Sequence, residues 1–179
     1  MAYASDHLSV ELSLFDEASN WKSYWASIAA PYVRGQVLEV GAGTGGSIPL
    51  LAANASDWLC LEPDPPLGAQ LREKIAAGAL PPQCRLELST LQGLAPGVEF
   101  DAILYADVME HVRDDEAEAR LAADRLAPGG ALIILAPAHQ FPFSPFDKAV
   151  DHYRRYSKRS LSAIVPNQLE LLTLIIWTA

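Results

Sequence analysis

The sequence has little of what membrane, secreted or nucleic-acid-binding proteins usually contain. Only 2 of its 179 residues are cysteines, and they form neither a metal-binding motif nor a disulfide framework. We expect no secretory leader, and the longest apolar run, 169–179, is too short to cross a bilayer and contains Glu170. Acids outnumber bases by 22 to 13, and the net charge of −9 disfavours nucleic acid or anionic membranes as partners. These shortages predict a cytoplasmic protein with reduced cysteines and no membrane span.

Half of the residues are hydrophobic, and the length suits one domain with a substantial core. Strand-like runs alternate with helical stretches, which predicts a three-layer α/β fold, a mostly parallel sheet with helices on both faces. The predicted strands lie at 36–40, 57–61, 84–88, 100–105, 130–136 and 169–176, and the predicted helices at 20–33, 45–54, 66–77 and 114–126.

Two later segments carry further predictions. Residues 126–130 combine a proline with two glycines, which predicts a helix stop and then a turn into a buried strand. The segment 137–157 is rich in proline, aromatic and basic residues. We expect it to form a loop over the carboxyl ends of the strands, where a doubly wound sheet binds its ligand. Ser157 is expected to cap a last helix through its hydroxyl oxygen.

The most informative stretch is the apolar run 37–40, which passes directly into a glycine-rich turn at 41–46. About twenty residues later, Glu62 ends another apolar run. Glycines permit a tight turn and a close approach of backbone N–H groups to a ligand, and a carboxylate at Glu62 can accept hydrogen bonds from ribose hydroxyls. The pattern therefore predicts a βαβ unit that binds a nucleoside cofactor.

The spacing of the glycines fits two classes of cofactor. Gly41-x-Gly43-x-x-Gly46 matches the dinucleotide fingerprint, and Gly41-x-Gly43-x-Gly45 matches the pattern for a methyl donor. Glu39 helps to separate them, because a carboxylate in the crevice repels a pyrophosphate but attracts the sulfonium and ammonium of S-adenosylmethionine. No compensating cation lies nearby in sequence, which favours the methyl donor. An NAD(P)-dependent oxidoreductase is kept as an alternative, although the chain lacks a Tyr-x-x-x-Lys pair.

Four segments together resemble class I S-adenosylmethionine-dependent methyltransferases of the bacterial small-molecule type (type 11/12-like). They are 38–45, 61–64, 106–112 and 126–130. The resemblance implies a Rossmann-like methyltransferase fold, S-adenosylmethionine as cofactor and methylation of an acceptor. It also implies a seventh strand in the order 3-2-1-4-5-7-6, whereas this sequence stops after its sixth strand-like run. We expect truncation, with completion of the sheet by a partner, as in a homodimer, as the alternative.

Taken residue by residue, the resemblance assigns Glu62 to the ribose hydroxyls and residues 89–91 to the adenine, although no aspartate is present there to hold the adenine amino group. Trp21 and Tyr24 either form an N-terminal lid over the cofactor or pack as an apolar helix face. The implied cofactor-binding residues are Trp21, Tyr24, Glu39, Gly41, Ala42, Gly43, Gly45, Glu62, Pro63, Thr90, Leu91, Asp107 and Val108.

Methyl transfer to a hydroxyl requires a base with a pKa near neutrality, and histidine is the natural choice. His111 and His139 follow the fourth and fifth predicted strands, so both are candidate catalytic bases, unless they serve only their own loops. Five cations lie within 148–159 and indicate an anionic acceptor, unless they pair with neighbouring acids. The expected acceptor is a small molecule, anionic or linked to a sugar or lipid, that is methylated most simply at oxygen. The candidate acceptor-binding residues are His152, Tyr153, Arg154 and Arg155.

The acids and histidine at 107–111 also resemble a metal-binding pattern. Asp107-x-x-Glu110-His111 is similar to a divalent-metal motif of some O-methyltransferases and small-RNA methyltransferases, but it is common in metal-free relatives, and we expect no metal. The expected organisation is one domain over 1–179, with lid helices at 1–34, a cofactor-binding core at 35–136, and the acceptor loop, last helix and sixth strand at 137–179. A non-catalytic S-adenosylmethionine-binding module is the second alternative.

Overall fold

The computed structural model describes residues 19–139 and 144–174. Five strands form one parallel sheet in the order β3-β2-β1-β4-β5, as the alternation of elements predicted. The strands are β1 (Gly35–Val40), β2 (Ala55–Leu61), β3 (Cys84–Glu87), β4 (Phe100–Ala106) and β5 (Leu126–Leu135). The helices are α1 (Ser19–Ala29), α2 (Ile48–Leu51), α3 (Pro65–Ala76), α4 (Asp115–Ala123), α5 (Pro145–Ala149) and α6 (Lys158–Ile164).

Alternate residues of the central strands point to opposite faces of the sheet, so the hydrophobic core has two halves. On β2, Trp58 and Cys60 belong to the half that is covered by α1, α2 and α3. Leu59 and Leu61 belong to the other half, which α4 and α6 cover. Because both of their faces are covered, the central strands β1, β2 and β4 end in buried, mostly hydrophobic runs, which is typical of a parallel sheet.

The order of the strands places the ligand crevice. β1 pairs with β2 on one side and with β4 on the other, so the direction of winding reverses between β1 and β4. In a doubly wound sheet, a ligand binds outside the carboxyl ends of the strands at such a reversal. The glycine turn directly follows β1, and Asp107 directly follows β4. The two segments that the sequence singled out therefore meet at the same end of the sheet.

Strand β5 differs from its prediction in two ways. Residues 126–130 are not a turn before the strand but its irregular first part, because Phe100 pairs with Leu126 while Ala102 pairs with Ala131. Gly129 has a φ of 78°, a conformation that glycine adopts at little cost. The strand is also half-buried instead of buried, because it lies at the edge of the sheet.

The end of the described chain brings one correction and one confirmation. The predicted sixth strand at 169–176 is wrong over 169–174, which form no strand, and residues 175 and 176 lie outside the described residues. A strand requires a pairing partner, and Leu172 here is 65% exposed. The predicted cap is confirmed, since the Ser157 hydroxyl accepts the backbone N–H of Ser160 at 3.1 Å. None of the described helices has the length and apolar character that crossing a membrane requires.

Candidate active site

The glycine turn brings the ends of β1 and β4 into close contact. Gly41 has a φ of 67°, and a Cβ atom there would lie 2.7 Å from Cγ2 of Val108. Gly45 has a φ of 80°, and its Cβ would lie 2.8 Å from Cδ1 of Leu71 on α3. At both positions the backbone conformation and the neighbouring side chain require glycine. The turn is therefore a tight cradle in which any larger residue would displace the strand end or the helix.

The Glu62 carboxylate ties this turn to the end of β2. One of its oxygens accepts the N–H of Gly43 at 2.7 Å, and the other accepts the N–H of Asp64 at 2.8 Å. Burial raises the pKa of Glu62, although these two hydrogen bonds oppose that shift. A carboxylate offers about four acceptor positions. Two therefore remain for the neighbouring hydroxyls of a ribose, so the residues present fit the nucleoside cofactor that the pattern predicts.

Glu39 lies beneath the turn, among the residues covered by α1, α2 and α3. Its two oxygens accept hydrogen bonds from the Ser47 hydroxyl and, at 3.0 Å, from Trp58 Nε1. Burial raises the pKa of Glu39 to about 7, against the effect of these hydrogen bonds. The side chain is thus only partly charged at neutral pH, which weakens the argument that its full charge selects the cofactor. Its direct contact with the methionine part stays a prediction.

A cation that the sequence did not reveal also reaches the turn. Lys74, in the last turn of α3, donates from Nζ to the backbone carbonyl of Thr44 at 2.9 Å. The two residues are 30 positions apart, so no local pattern links them. In the sequence, this contact could have been indicated by a lysine on a helix that packs against the turn. Lys74 therefore places a positive charge beside the turn, although it is 30 residues away from Thr44 in sequence.

The predicted adenine and lid residues divide into core and surface positions. Leu91 is fully buried and belongs to the core half under α4, whereas Thr90 is exposed, so only Thr90 has a side chain that can reach a ligand. Trp21 packs partly buried against the other half of the core, and Tyr24 is 39% exposed beside it, with ring centres 6.0 Å apart. These positions agree with a packed helix face for Trp21. A lid over the cofactor stays a prediction.

Strained backbone conformations lie at the end of the crevice where the acceptor is predicted to bind. Among the described residues, three non-glycine residues have a positive φ: Asp107 (55°) after β4, His139 (64°) after β5, and Asp151 (60°) within the segment 144–157. Each such conformation costs about 1–3 kcal/mol and persists only where the surrounding structure imposes it, which is typical of functional sites. Two of these residues, Asp107 and His139, are predicted site residues.

His111 is the histidine best placed for chemistry. It ends the short 3-10 turn Met109–His111 that follows β4, and its ring centre lies 4.6 Å from that of His152. Burial, together with the neighbouring His152, lowers the pKa of His111 to about 4, although hydrogen bonds to the backbone of Val150 and Asp151 act in the opposite direction. The imidazole is therefore neutral at pH 7 and has a lone pair for a proton, but its pKa lies below the near-neutral value expected of the base.

His139 lies apart from this pair. Its side chain is exposed, and its backbone N–H donates to the carbonyl of Tyr156 at 2.7 Å. Its catalytic role stays a prediction, because the described structure places no second histidine ring beside it as it places His152 beside His111.

The late loop, residues 144–157, lies over the carboxyl ends of β4 and β5, as predicted. The backbone N–H of Tyr153 donates to the carbonyl of Glu110 at 2.8 Å. The Tyr156 hydroxyl contacts the Met109 carbonyl at 3.1 Å and the Asp115 carboxylate at 2.7 Å. These long-range hydrogen bonds fix the loop against the turn that carries His111.

The two central arginines of the loop are used inside the protein. Arg155 donates to both oxygens of Asp147, at 2.6 and 3.1 Å, and Asp147 is fully buried. Arg154 pairs with Asp115 at 2.5 Å and donates to the carbonyl of Arg113 at 2.8 Å. The expectation that Arg154 and Arg155 hold an anionic acceptor is therefore not supported, because carboxylates of the chain already match their charges.

Fold and site together define a doubly wound α/β protein with a nucleoside-binding turn at the point where its winding reverses. The methyltransferase domain family matches residues 38–132, which is more than half of the chain. The chain belongs to this family. The match confirms the resemblance to class I S-adenosylmethionine-dependent methyltransferases and S-adenosylmethionine as the cofactor.

Several solved structures share the fold. The DhpI–SAH complex is 24% identical, with a TM-score of 0.61, and the match covers 78% of this chain and 66% of DhpI. YcgJ from Bacillus subtilis is 18% identical, with a TM-score of 0.64 and coverage of 80% and 64%. A putative sarcosine dimethylglycine methyltransferase from Galdieria sulphuraria is 19% identical, with a TM-score of 0.66 and coverage of 83% and 59%.

These identities establish the fold and no more. The chain spans less than two thirds of the length of the solved structures just described. No curated protein sequence matches it.

Proposed function

We propose that this chain binds S-adenosylmethionine at the turn 41–46 and at Glu62, and methylates an oxygen atom of a small acceptor held beneath the late loop. The observation that carries the proposal is the half-buried imidazole of His111, which lies directly after β4 at the reversal of the sheet and 4.6 Å from the ring of His152. Bound there, the cofactor supplies an activated methyl group. His111 would accept the hydroxyl proton as the acceptor oxygen displaces the sulfur from the methyl carbon, so that the methyl–sulfur bond breaks and S-adenosylhomocysteine is the leaving group.

The other residues mainly position the reactants and exclude water. Glu62 holds the ribose hydroxyls, and the turn presents backbone N–H groups to the methionine part. Asp107 and Val108, at the end of β4, flank the methyl group that is transferred. The late loop covers the acceptor, which keeps the displacement in a dry and ordered site.

The internal pairing of Arg154 and Arg155 shifts the acceptor class away from free anions. We propose that the acceptor is a neutral hydroxyl compound, such as a sugar or a lipid-linked sugar, and not a nucleic acid. We also propose that the protein acts in the cytoplasm. Nitrogen is the alternative acceptor atom, since the neighbour from Galdieria sulphuraria is described as acting on sarcosine and dimethylglycine, which are amines. An amine acceptor loses its proton to solvent without a base, so His111 would then be dispensable.

Titration calorimetry with S-adenosylhomocysteine tests the donor side. We expect one binding event per chain and at least a tenfold loss of affinity in Glu62→Gln, because the amide faces the N–H donors of Gly43 and Asp64. Asp101→Asn is the matched control, since Asp101 also accepts a backbone N–H, that of Gln36 at 2.7 Å, at the opposite end of the sheet. Absence of binding to the folded wild-type chain contradicts the proposal.

Methyl transfer to a panel of hydroxyl and amine compounds tests the chemistry. For a hydroxyl acceptor, His111→Gln is expected to lower kcat about 100-fold or more with little change in affinity for S-adenosylhomocysteine. Equal kcat values in wild type and variant indicate an amine acceptor. Cofactor binding without turnover of any acceptor favours the non-catalytic module instead.

A further inference from the structure

Three side chains with metal-binding atoms meet at the acceptor end of the crevice. Glu110 and His111 are neighbours on the turn after β4, and His152 comes from the late loop, 41 residues after His111. One carboxylate oxygen and one nitrogen from each imidazole all lie within 4.8 Å of one another. Glu110 is completely buried, and His152 is 8% exposed. The sequence pattern had instead placed Asp107 with Glu110 and His111, and the structure replaces Asp107 by His152.

The two imidazoles are held as metal-binding histidines usually are. Such a histidine donates its second ring N–H to a carboxylate or to a backbone carbonyl, which leaves the lone pair of the other nitrogen for the ion. Nδ1 of His152 lies 3.0 Å from the Asp147 carboxylate, so the tautomer protonated at Nδ1 presents Nε2 to the cluster. The ring of His111 hydrogen bonds to the backbone of Val150 and Asp151.

The carboxylate behind His152 is itself fixed. Asp147 accepts from Arg155 at 2.6 Å and from the backbone N–H of Ser144 at 2.8 Å. With both groups bonded to it, Asp147 cannot turn away from the histidine. The orientation of His152 is therefore imposed by a buried network and not by chance packing.

We propose that Glu110, His111 and His152 bind one divalent first-row transition-metal ion. Two imidazoles and one carboxylate suit Mn²⁺, Fe²⁺, Co²⁺ or Zn²⁺, whereas Mg²⁺ and Ca²⁺ prefer oxygen ligands throughout. Metal–ligand bonds of about 2.1 Å in a tetrahedral site place the ligand atoms about 3.4 Å apart. Since these atoms now lie within 4.8 Å of one another, binding draws them together by no more than about 1.4 Å, which small rotations of the side chains provide.

The catalytic consequence rests on the proposed function, but the binding site does not. Three protein ligands leave at least one coordination position open toward the acceptor. A hydroxyl group that occupies this position becomes more acidic, since the ion stabilises the alkoxide. With the ion bound, the remaining lone pair of His111 is used for the metal, so His111 acts as a ligand and the acidified hydroxyl releases its proton to water. Metal binding itself can be measured with no acceptor or cofactor present.

The test uses the full chain without an affinity tag and Co²⁺ as the probe. We expect one Co²⁺ per chain by calorimetry, with visible absorption bands of nitrogen-bound Co²⁺ that Zn²⁺ removes by competition. Glu110→Gln and His152→Asn are each expected to weaken Co²⁺ binding at least 100-fold. Asp147→Asn removes the carboxylate that orients His152 and also the counter-ion of Arg155, and is expected to weaken binding by about 10- to 100-fold in the folded variant. The matched control is His139→Asn, which changes a histidine outside the cluster and should keep wild-type affinity.

A variant-free measurement guards against misfolding of these proteins. In the wild-type chain, substoichiometric Mn²⁺ should broaden the imidazole NMR signals of His111 and His152 before those of His139. Absence of Co²⁺ binding to the folded wild type overturns the proposal, as does unchanged affinity in both Glu110→Gln and His152→Asn. Titration of the same samples with S-adenosylhomocysteine separates the two proposals, because a chain that binds S-adenosylhomocysteine but no Co²⁺ loses only the metal site.

Discussion

The two sides of the crevice are built differently. The donor side consists of the turn 41–46 with Glu39, Ser47 and Glu62. The hydrogen bonds of its two glutamates join residues 2 to 19 positions apart, and the bond from Lys74 to Thr44 spans 30. The acceptor side consists of residues 107–115 and the late loop, and the hydrogen bonds and ion pair that join these two segments span 39 to 47 positions. One side is a local structure, and the other is an assembly of distant segments.

This difference has a functional meaning. Under the proposed function, the donor side binds the cofactor that methyltransferases of this kind share, through backbone N–H groups and a carboxylate. The proposed acceptor side depends on buried charges and hydroxyl groups of one loop, so we expect a change in that loop to alter the acceptor without altering the cofactor site. Stability and binding measurements can show whether the two sides are as independent as their contacts indicate.

The largest effect is expected from Asp147→Asn on the acceptor side. Asp147 is fully buried and bonded to Arg155 and His152, which, despite the opposing effect of burial, hold the pKa of its carboxyl group well below its usual range. Removing the charge leaves a partly buried guanidinium without its counter-ion, so we expect a loss of about 4 kcal/mol in the free energy of unfolding. Urea denaturation measures this loss.

Asp57→Asn is the matched control on the donor half of the sheet. Asp57 also binds an arginine through two nitrogens, Nε of Arg85 at 3.1 Å and Nη2 at 2.8 Å, but the pair is exposed to solvent. An exposed ion pair contributes about 0–1 kcal/mol. Equal losses in the two variants would show that the late loop is not held by its buried charge.

The second effect is expected from Gly41→Ala on the donor side. An alanine at a φ of 67° is strained by about 1–2 kcal/mol, and its Cβ meets Val108 at 2.7 Å, which adds a similar amount. We expect about 3 kcal/mol of destabilisation and loss of S-adenosylhomocysteine binding. Gly78→Ala measures the cost of the backbone conformation alone, since Gly78 has a φ of 70° with no atom within 4 Å of its Cβ position. Adding Val108→Ala to Gly41→Ala should recover only the part of the lost stability that comes from the contact with Val108.

The sequence predicted the donor side well because its information is local. The turn, its glycines and Glu62 lie within one βαβ unit, and the alternation of apolar runs placed all five strands of the described sheet. The Ser157 cap was equally predictable, since a cap depends on the three residues that follow it. Here the residue pattern and the physical contact coincide along the chain.

The acceptor side could not be predicted in the same way. Nothing near Arg155 in sequence shows whether its guanidinium meets Asp147 or an acceptor, and His152 approaches His111 only after the chain has passed through β5. The run 169–174 has the composition of a strand, but composition does not supply the neighbour that a strand needs. The near-neutral pKa of Glu39 likewise follows from burial, which a strand pattern does not quantify.

The third prediction concerns Glu39 and pH. Its pKa is raised to about 7 in the folded state from 4.5, so the folded chain binds this proton more tightly than the unfolded chain. The associated stability is fully present below pH 4.5 and is lost as the pH rises through 7. Between pH 5 and pH 8, the loss is about 2 to 3 kcal/mol.

Glu39→Gln should abolish this slope, because an amide can accept from Trp58 and donate to the Ser47 hydroxyl without titrating. The stability difference between wild type and variant, measured from pH 5 to pH 8, isolates Glu39 from the other groups that titrate. Glu116→Gln removes a carboxylate from the exposed surface of α4 and should leave the wild-type slope unchanged. A flat difference curve for Glu39→Gln would show that Glu39 remains charged beneath the turn.

The smallest effect is expected from Tyr156→Phe, which tests the long-range bonds alone. The Tyr156 ring is buried, and its hydroxyl contacts Met109 and Asp115, so its removal should cost about 1 kcal/mol. Tyr153→Phe changes the same group on a side chain that is 55% exposed and should stay within about 0.5 kcal/mol of wild type. If the two sides are independent, Tyr156→Phe raises KM for the acceptor and leaves the affinity for S-adenosylhomocysteine unchanged. Weakening of both would mean that the late loop also orders the glycine turn, and that local contacts do not by themselves complete the donor side.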